Sequence, residues 1–134
     1  MRVLRCVLAG VVLTVGMLGC SGAHRTNEVS AHEATWTRAG ITSYRFTYYE
    51  SGMAGVNTYD VTVVDGQPTG TTPEQVPSTM EAVFQQLDHE TRQAASVSAT
   101  YDGSLGYPTA VNVDEKKNVM DDEWGFGVQT FTRL

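Results

Sequence analysis

The chain has 134 residues and a mass of 14.6 kDa, with 41% hydrophobic and 18% charged residues, which is the size of one domain rather than two. Its formal charge of −6 provides none of the basic surface that releases counterions from DNA or RNA, which argues against nucleic acid as a partner.

The first twenty residues carry an address. Arg2 and Arg5 lead an apolar run over 7–18, interrupted only by Thr14 and glycines, and the small residues Gly19, Cys20, Ser21, Gly22 and Ala23 follow. Basic, then apolar, then small is the order of a bacterial export signal. Because residues 6–24 contain no Asp, Glu, Lys or Arg and approach the ~20 residues that span a bilayer, an uncleaved membrane anchor is the alternative reading. Met17-Leu18-Gly19-Cys20 resembles the lipobox of bacterial lipoproteins, in which a cysteine after a small residue takes a diacylglycerol and becomes the new N-terminus. Lipoboxes more often have Leu where Met17 stands and a small residue where Leu18 stands. The resemblance implies a signal peptide over 1–19, lipid attachment at Cys20, and a location outside the cytoplasm on a membrane, inner or outer. Loss of the leader leaves seven basic against fifteen acidic side chains, a charge of −8. With Cys6 discarded and Cys20 acylated, no thiol remains for a disulfide.

Residues 20–29 are polar and without clear periodicity, and read as a short flexible tether ahead of a single domain over 30–134. Ser30 with Glu33 has the spacing of a capping box, Trp36 is a large apolar anchor and Gly40 stands where a left-handed stop is expected, which predicts a first helix over 30–39. From 43 to 50 the period becomes two, with Tyr44, Phe46 and Tyr48 on one face, as in a half-buried strand. A second strand over 57–64 puts Tyr59, Val61 and Val63 together, Asp65-Gly66 is a tight-turn signal, and Pro68 confines any returning strand to a short edge within a mostly looped 67–76. Ser78 and Glu81 repeat the capping-box spacing, and Met80, Val83, Phe84 and Leu87 form an apolar stripe on a second helix. Three further strands follow around Val97, Ala99 and Tyr101, then Val111 and Val113, then Trp124, Phe126 and Val128. The expected fold is α+β: an antiparallel sheet of four to five strands with two helices packed on one face.

Between the first two of these three strands lies Tyr101-Asp102-Gly103-Ser104-Leu105-Gly106-Tyr107-Pro108. This loop, with Trp36, Ile41 and Tyr44, the Val61-to-Gly66 hairpin, the helix bearing Phe84, and Asp121-Asp122-Glu123 before the last strand, resembles a family of bacterial secreted proteins and lipoproteins known as a domain of unknown function. The Tyr-Asp to Gly-Tyr-Pro loop is the most specific part of the resemblance. Many members carry a Cys-x-Cys pair after the first strand, where this chain has Glu50-Ser51-Gly52-Met53, so no disulfide or metal role transfers. The family implies no activity.

Read physically, the loop is a well-specified hairpin connection, with Tyr101 and Tyr107 burying rings while wetting hydroxyls; an aromatic recognition edge is the rarer use. The oxygen-rich set Asp114, Glu115, Asp121, Asp122 and Glu123 crowds the next loop, and Asp102 joins it if the strand ends meet, which is the supply that calcium takes. The order is wrong for an EF-hand, and a solvated loop partly neutralised by Lys116 and Lys117 is the plainer reading. His32-Glu33-Ala34-Thr35-Trp36 opens like a zinc-protease helix but has Trp where the second His is required. Ser104 lacks the glycine two residues before it that a nucleophile elbow needs, Gly125-Phe126-Gly127 has no third glycine, and His89 sits near a helix end rather than in a triad. No cofactor is implied. The expectation is therefore a non-enzymatic envelope lipoprotein that binds or spaces another envelope component; the competing reading is a calcium-binding or cation-dependent hydrolytic protein using the acidic loop 114–123.

Overall fold

The structure, a computed structural model, describes residues 21–134. In chain order the elements are α1 (Ser21–Ala39), β1 (Tyr44–Gly52), β2 (Gly55–Val64), β3 (Gln67–Thr69), α2 (Met80–Gln93), β4 (Ser96–Tyr101), β5 (Pro108–Asp114) and β6 (Glu123–Arg133). All strand pairings are antiparallel, in the order β3-β2-β1-β6-β5-β4. Two three-stranded meanders therefore meet at β1 and β6, and α2 carries the chain from one outer edge to the other.

The alternation read from the sequence sets the core face. Tyr44, Phe46 and Tyr48 of β1 are buried with Val61 and Val63 of β2, Val111 and Val113 of β5, and Phe126 and Val128 of β6. Against them α2 presents Met80, Val83, Phe84 and Leu87, all buried, which is the predicted stripe. The opposite face is threonine-rich and open: Thr47 donates to Asp60 (2.7 Å), and Thr130 donates to Thr47 (2.8 Å).

Four expectations are corrected. The sheet has six strands rather than four to five, because the segment after Asp65-Gly66 does pair, as the three-residue edge strand β3 at Pro68. Residues 21–29 are helical rather than a flexible tether. Their packing stripe, Arg25, Val29, His32 and Trp36, mixes two polar side chains with two buried apolar ones, so apolar periodicity alone does not display it. Ser30 accordingly lies inside α1, where its hydroxyl donates to the Thr26 carbonyl (2.9 Å) instead of capping. On α2 the cap is Thr79, whose hydroxyl accepts from the Ala82 amide (3.2 Å), one residue after the expected Ser78. Glu81 is thereby free for other partners: it accepts from Trp36 Nε1 (2.8 Å) and from the Tyr44 hydroxyl (3.4 Å). Tyr44 in turn accepts from the Met80 amide (2.9 Å), which ties α1, β1 and α2 together at one point. Burial, with a smaller contribution from the Glu81 charge, pushes the Tyr44 hydroxyl up to about 12 against the lowering effect of the Met80 amide. As expected, Gly40 ends α1 with φ +62.

Candidate functional site

The register divides the predicted site residues between two ends of the sheet. Tyr101 pairs with Pro108 at one end of the β4–β5 hairpin, and Ser96 pairs with Asp114 at the other. At ~3.4 Å per residue, the seven-residue strand Pro108–Asp114 holds Asp102 roughly 20 Å from Asp114. The expectation that Asp102 joins the acidic loop is therefore wrong: the strands pair, but antiparallel pairing sends their two loops apart. Among the described residues no group of three or more His, Cys, Asp or Glu side chains is arranged to hold a metal ion.

At the first end, the Tyr101-to-Pro108 loop is occupied by its own packing. The Asp102 carboxylate accepts from the amides of Ser104 (3.0 Å) and Leu105 (2.7 Å), while the Gly106 amide donates to the Asp102 carbonyl (3.0 Å). Gly106 has φ +81, and a Cβ there would meet the His32 carbonyl oxygen at 2.6 Å, so the loop lies directly against α1. His32 stacks on Tyr101 with ring centroids 3.7 Å apart, and Tyr107 stacks on Phe131 at 5.1 Å. Burial, aided by Glu28, pushes the Tyr101 hydroxyl up to about 12. Tyr101 and Gly106 thus set the loop against the first helix, Asp102 fastens the loop to itself, Tyr107 packs on β6, and Pro108 is buried where β5 begins. His89 is exposed on α2.

At the second end lies a cleft of about 650 Å³. The pairings Ser51↔Gly125, Gly125↔Asn112 and Asn112↔Ser98 put four small or polar residues from β1, β6, β5 and β4 in one row on the face without helices. Gly125 keeps that row low; a Cβ on it would stand 2.8 Å from the Val111 carbonyl oxygen and 3.0 Å from Ser51 Oγ. Ser96, Asp114 and Glu123 continue the lining toward the acidic loop, Gly52, Val97, Val113 and Trp124 enter it from the core side, and Arg25 of α1 adds the one cationic side chain among the lining residues, so the cleft opens around the end of the sheet. Two lining residues contain buried polar atoms without a hydrogen-bond partner, Asp114 Oδ1 and Trp124 Nε1, and Asp122 beside them has both carboxylate oxygens in that state. An open hollow lined by hydroxyls, one amide and the apolar Val97, Val113 and Trp124, with opposite charges among its lining residues, is suited to holding an amphipathic ligand or protein side chains.

Sequence reasoning did not find this cleft. Ser51, Ser98, Asn112 and Gly125 sit at ordinary outward positions of four strands, and only the placement of β6 between β1 and β5 gathers them. The glycine pair around Phe126 was the visible signal: two residues without side chains on a strand interior mark a close approach.

The architecture and its cleft define a small mixed α+β domain in which the whole described body is one unit. The chain belongs to DUF6174, a family of unknown function whose model matches residues 28–133. That span starts one residue before the buried Val29 and ends with β6, so the family unit includes the second half of α1. No curated protein and no solved structure matches the chain.

Proposed function

We propose that this protein is a bacterial cell-envelope lipoprotein, anchored through a diacylglycerol on Cys20, whose folded part is a non-enzymatic binding or spacing domain using the cleft between β1 and β4. The observation that carries the reading is the N-terminal order of Arg2 and Arg5, an apolar run, and Leu18-Gly19-Cys20, placed immediately before the start of α1 at Ser21. One acyl chain binds a bilayer marginally and two or more hold it stably, at ~0.8 kcal/mol per buried methylene. Cys20 lies outside the described residues, and among those described no helix is long and apolar enough to cross a membrane. The engagement of His32 with Tyr101 and of Asp102 with the amides after it supports a binding rather than a catalytic role for the folded part.

The test is metabolic labelling with radioactive palmitate in a bacterial host. The wild type should take up label and Cys20→Ala should not; equal labelling of both refutes the anchor. Calorimetric titration with calcium separates the competing cation reading: heat from the wild type that Asp121→Asn/Asp122→Asn abolishes would move the chemistry to the acidic loop.

A further inference from the structure

The same end of the molecule carries a second feature that the cleft does not use. Gly52 pairs with Gly55 to close the β1–β2 turn, Ser51 pairs with Gly125, and Asp114 pairs with Glu123 to close the β5–β6 loop, so the two loops project side by side beyond one end of the sheet. Met53 is 80% exposed and Val56 67% exposed at the first loop; Val119 is 49% and Met120 90% exposed in the second. These are four of the six large hydrophobic residues exposed among those described, the other two, Val64 and Leu134, being at the opposite end. Soluble surfaces tolerate single apolar side chains, but two adjacent tips each ending in a bare methionine form a contact surface.

The direction of α1 says what faces this surface. Trp36 packs against Tyr44 and Phe131 at the far end of the sheet, His32 against Tyr101, and Arg25 lines the cleft beside Gly52 and Asp114. The helix therefore runs back toward the methionine tips as it is followed to Ser21, one residue after Cys20. Because residues 21–29 are helical and Val29 is buried, the chain is part of the body from Ser21 onward instead of reaching it through a loop.

We propose that the end bearing Met53, Val56, Val119 and Met120 faces the bilayer, and that both tips enter the interfacial layer of the phospholipid. This inference rests on the reading of Cys20 as the anchor. The methionines supply flexible apolar contact, and Lys116 and Lys117 stand in the same loop at the depth of the headgroups. Glu115 and Asp121, both exposed, flank them and keep the insertion shallow, since charges do not follow the methionines into hydrocarbon. The acyl anchor and apolar tips, not net charge, hold this acidic domain to the surface.

The native methionines report the outcome. The full chain carrying Leu134→Met is bound to vesicles of phosphatidylcholine and phosphatidylglycerol and oxidised with chloramine-T; sulfoxide formation is followed at each position by peptide mass spectrometry, with buried Met80 as the protected reference. Met53 and Met120 should oxidise about tenfold more slowly on vesicles than in their absence, while the Leu134→Met site keeps its rate. Rates at Met53 and Met120 that vesicles leave unchanged overturn the docking, whatever holds the N-terminus. The same peptide map weighs the N-terminal peptide. If that peptide bears no lipid, the anchor reading falls and the docking falls with it; a lipidated peptide together with unprotected methionines overturns the docking alone.

Discussion

The two ends of the sheet are built to opposite rules. Around Trp36, Tyr44, Phe131 and the Tyr101-to-Pro108 loop, aromatic rings stack or meet edge to face, and the Trp36 and Tyr44 polar groups have protein partners. At the end where β1 turns into β2 and β5 leads to β6, methionines stand in solvent, Asp114, Asp122 and Trp124 hold unpartnered buried atoms, and a cleft is open. The contrast teaches that stability and interaction have been separated along the strands. The closed end is packed ring against ring; the open end buries Val97, Val113 and Phe126 but leaves methionines and polar side chains exposed at its rim.

Four experiments break or sharpen that contrast, beginning with the largest effect. Phe84 is buried where α2 meets the sheet, and Phe84→Ala should cost about 3–5 kcal/mol in chemical denaturation. A neutral result would undo the packing on which both ends depend. Gly106→Ala places a methyl 2.6 Å from the His32 carbonyl oxygen at φ +81 and should cost about 2–4 kcal/mol, through strain plus displacement of α1. Stability unchanged by that variant would mean the contact of the Gly106 loop with the first helix does not bear weight.

Alkaline titration gives the third. Burial raises the Tyr44 and Tyr101 hydroxyls from 10.0 to about 12 and raises those of Tyr48, Tyr49 and Tyr107 as well, so the native state holds protons that the unfolded chain releases sooner. That stabilisation is fully present below pH 10, where both states are protonated, and is lost as pH rises through about 12. Melting temperature followed by circular dichroism should accordingly be flat up to about pH 9 and fall from there to pH 12, less steeply in Tyr101→Phe. An equal slope in the variant would remove Tyr101 from the closed end. The smallest effect belongs to the open end: Met53→Ser and Met120→Ser should each change folding stability by less than about 0.5 kcal/mol in the absence of membrane. A larger loss would mean that these tips are part of the core rather than free surface.

Period-two patterning disclosed β1, β2 and the core side of β4 through β6, and the stripe from Met80 to Leu87 disclosed α2, because each of these segments places apolar residues on one side without interruption. The N-terminal half of α1 was hidden because Val29 is the one buried side chain over 25–29 and Arg25, a turn before it, is a polar residue lining the cleft. Phe131 escaped the alternation for a different reason. The register shifts between Thr47 and Tyr48, where an extra residue on β6 returns Phe131 to the core side opposite Phe46. Strand β3 was anticipated as a possibility by Pro68 but not counted. The cleft was invisible for a topological reason: its residues are far apart in the chain, and no local pattern specifies that the last strand inserts beside the first.

The start of α1 lies toward the open end, and the mass of the first peptide tests the proposed anchor at Cys20 most directly. Protein extracted from bacterial membranes should yield an N-terminal peptide that begins at Cys20 and carries a diacylglycerol. A peptide that begins at Met1, with Cys20 unmodified, would contradict the account.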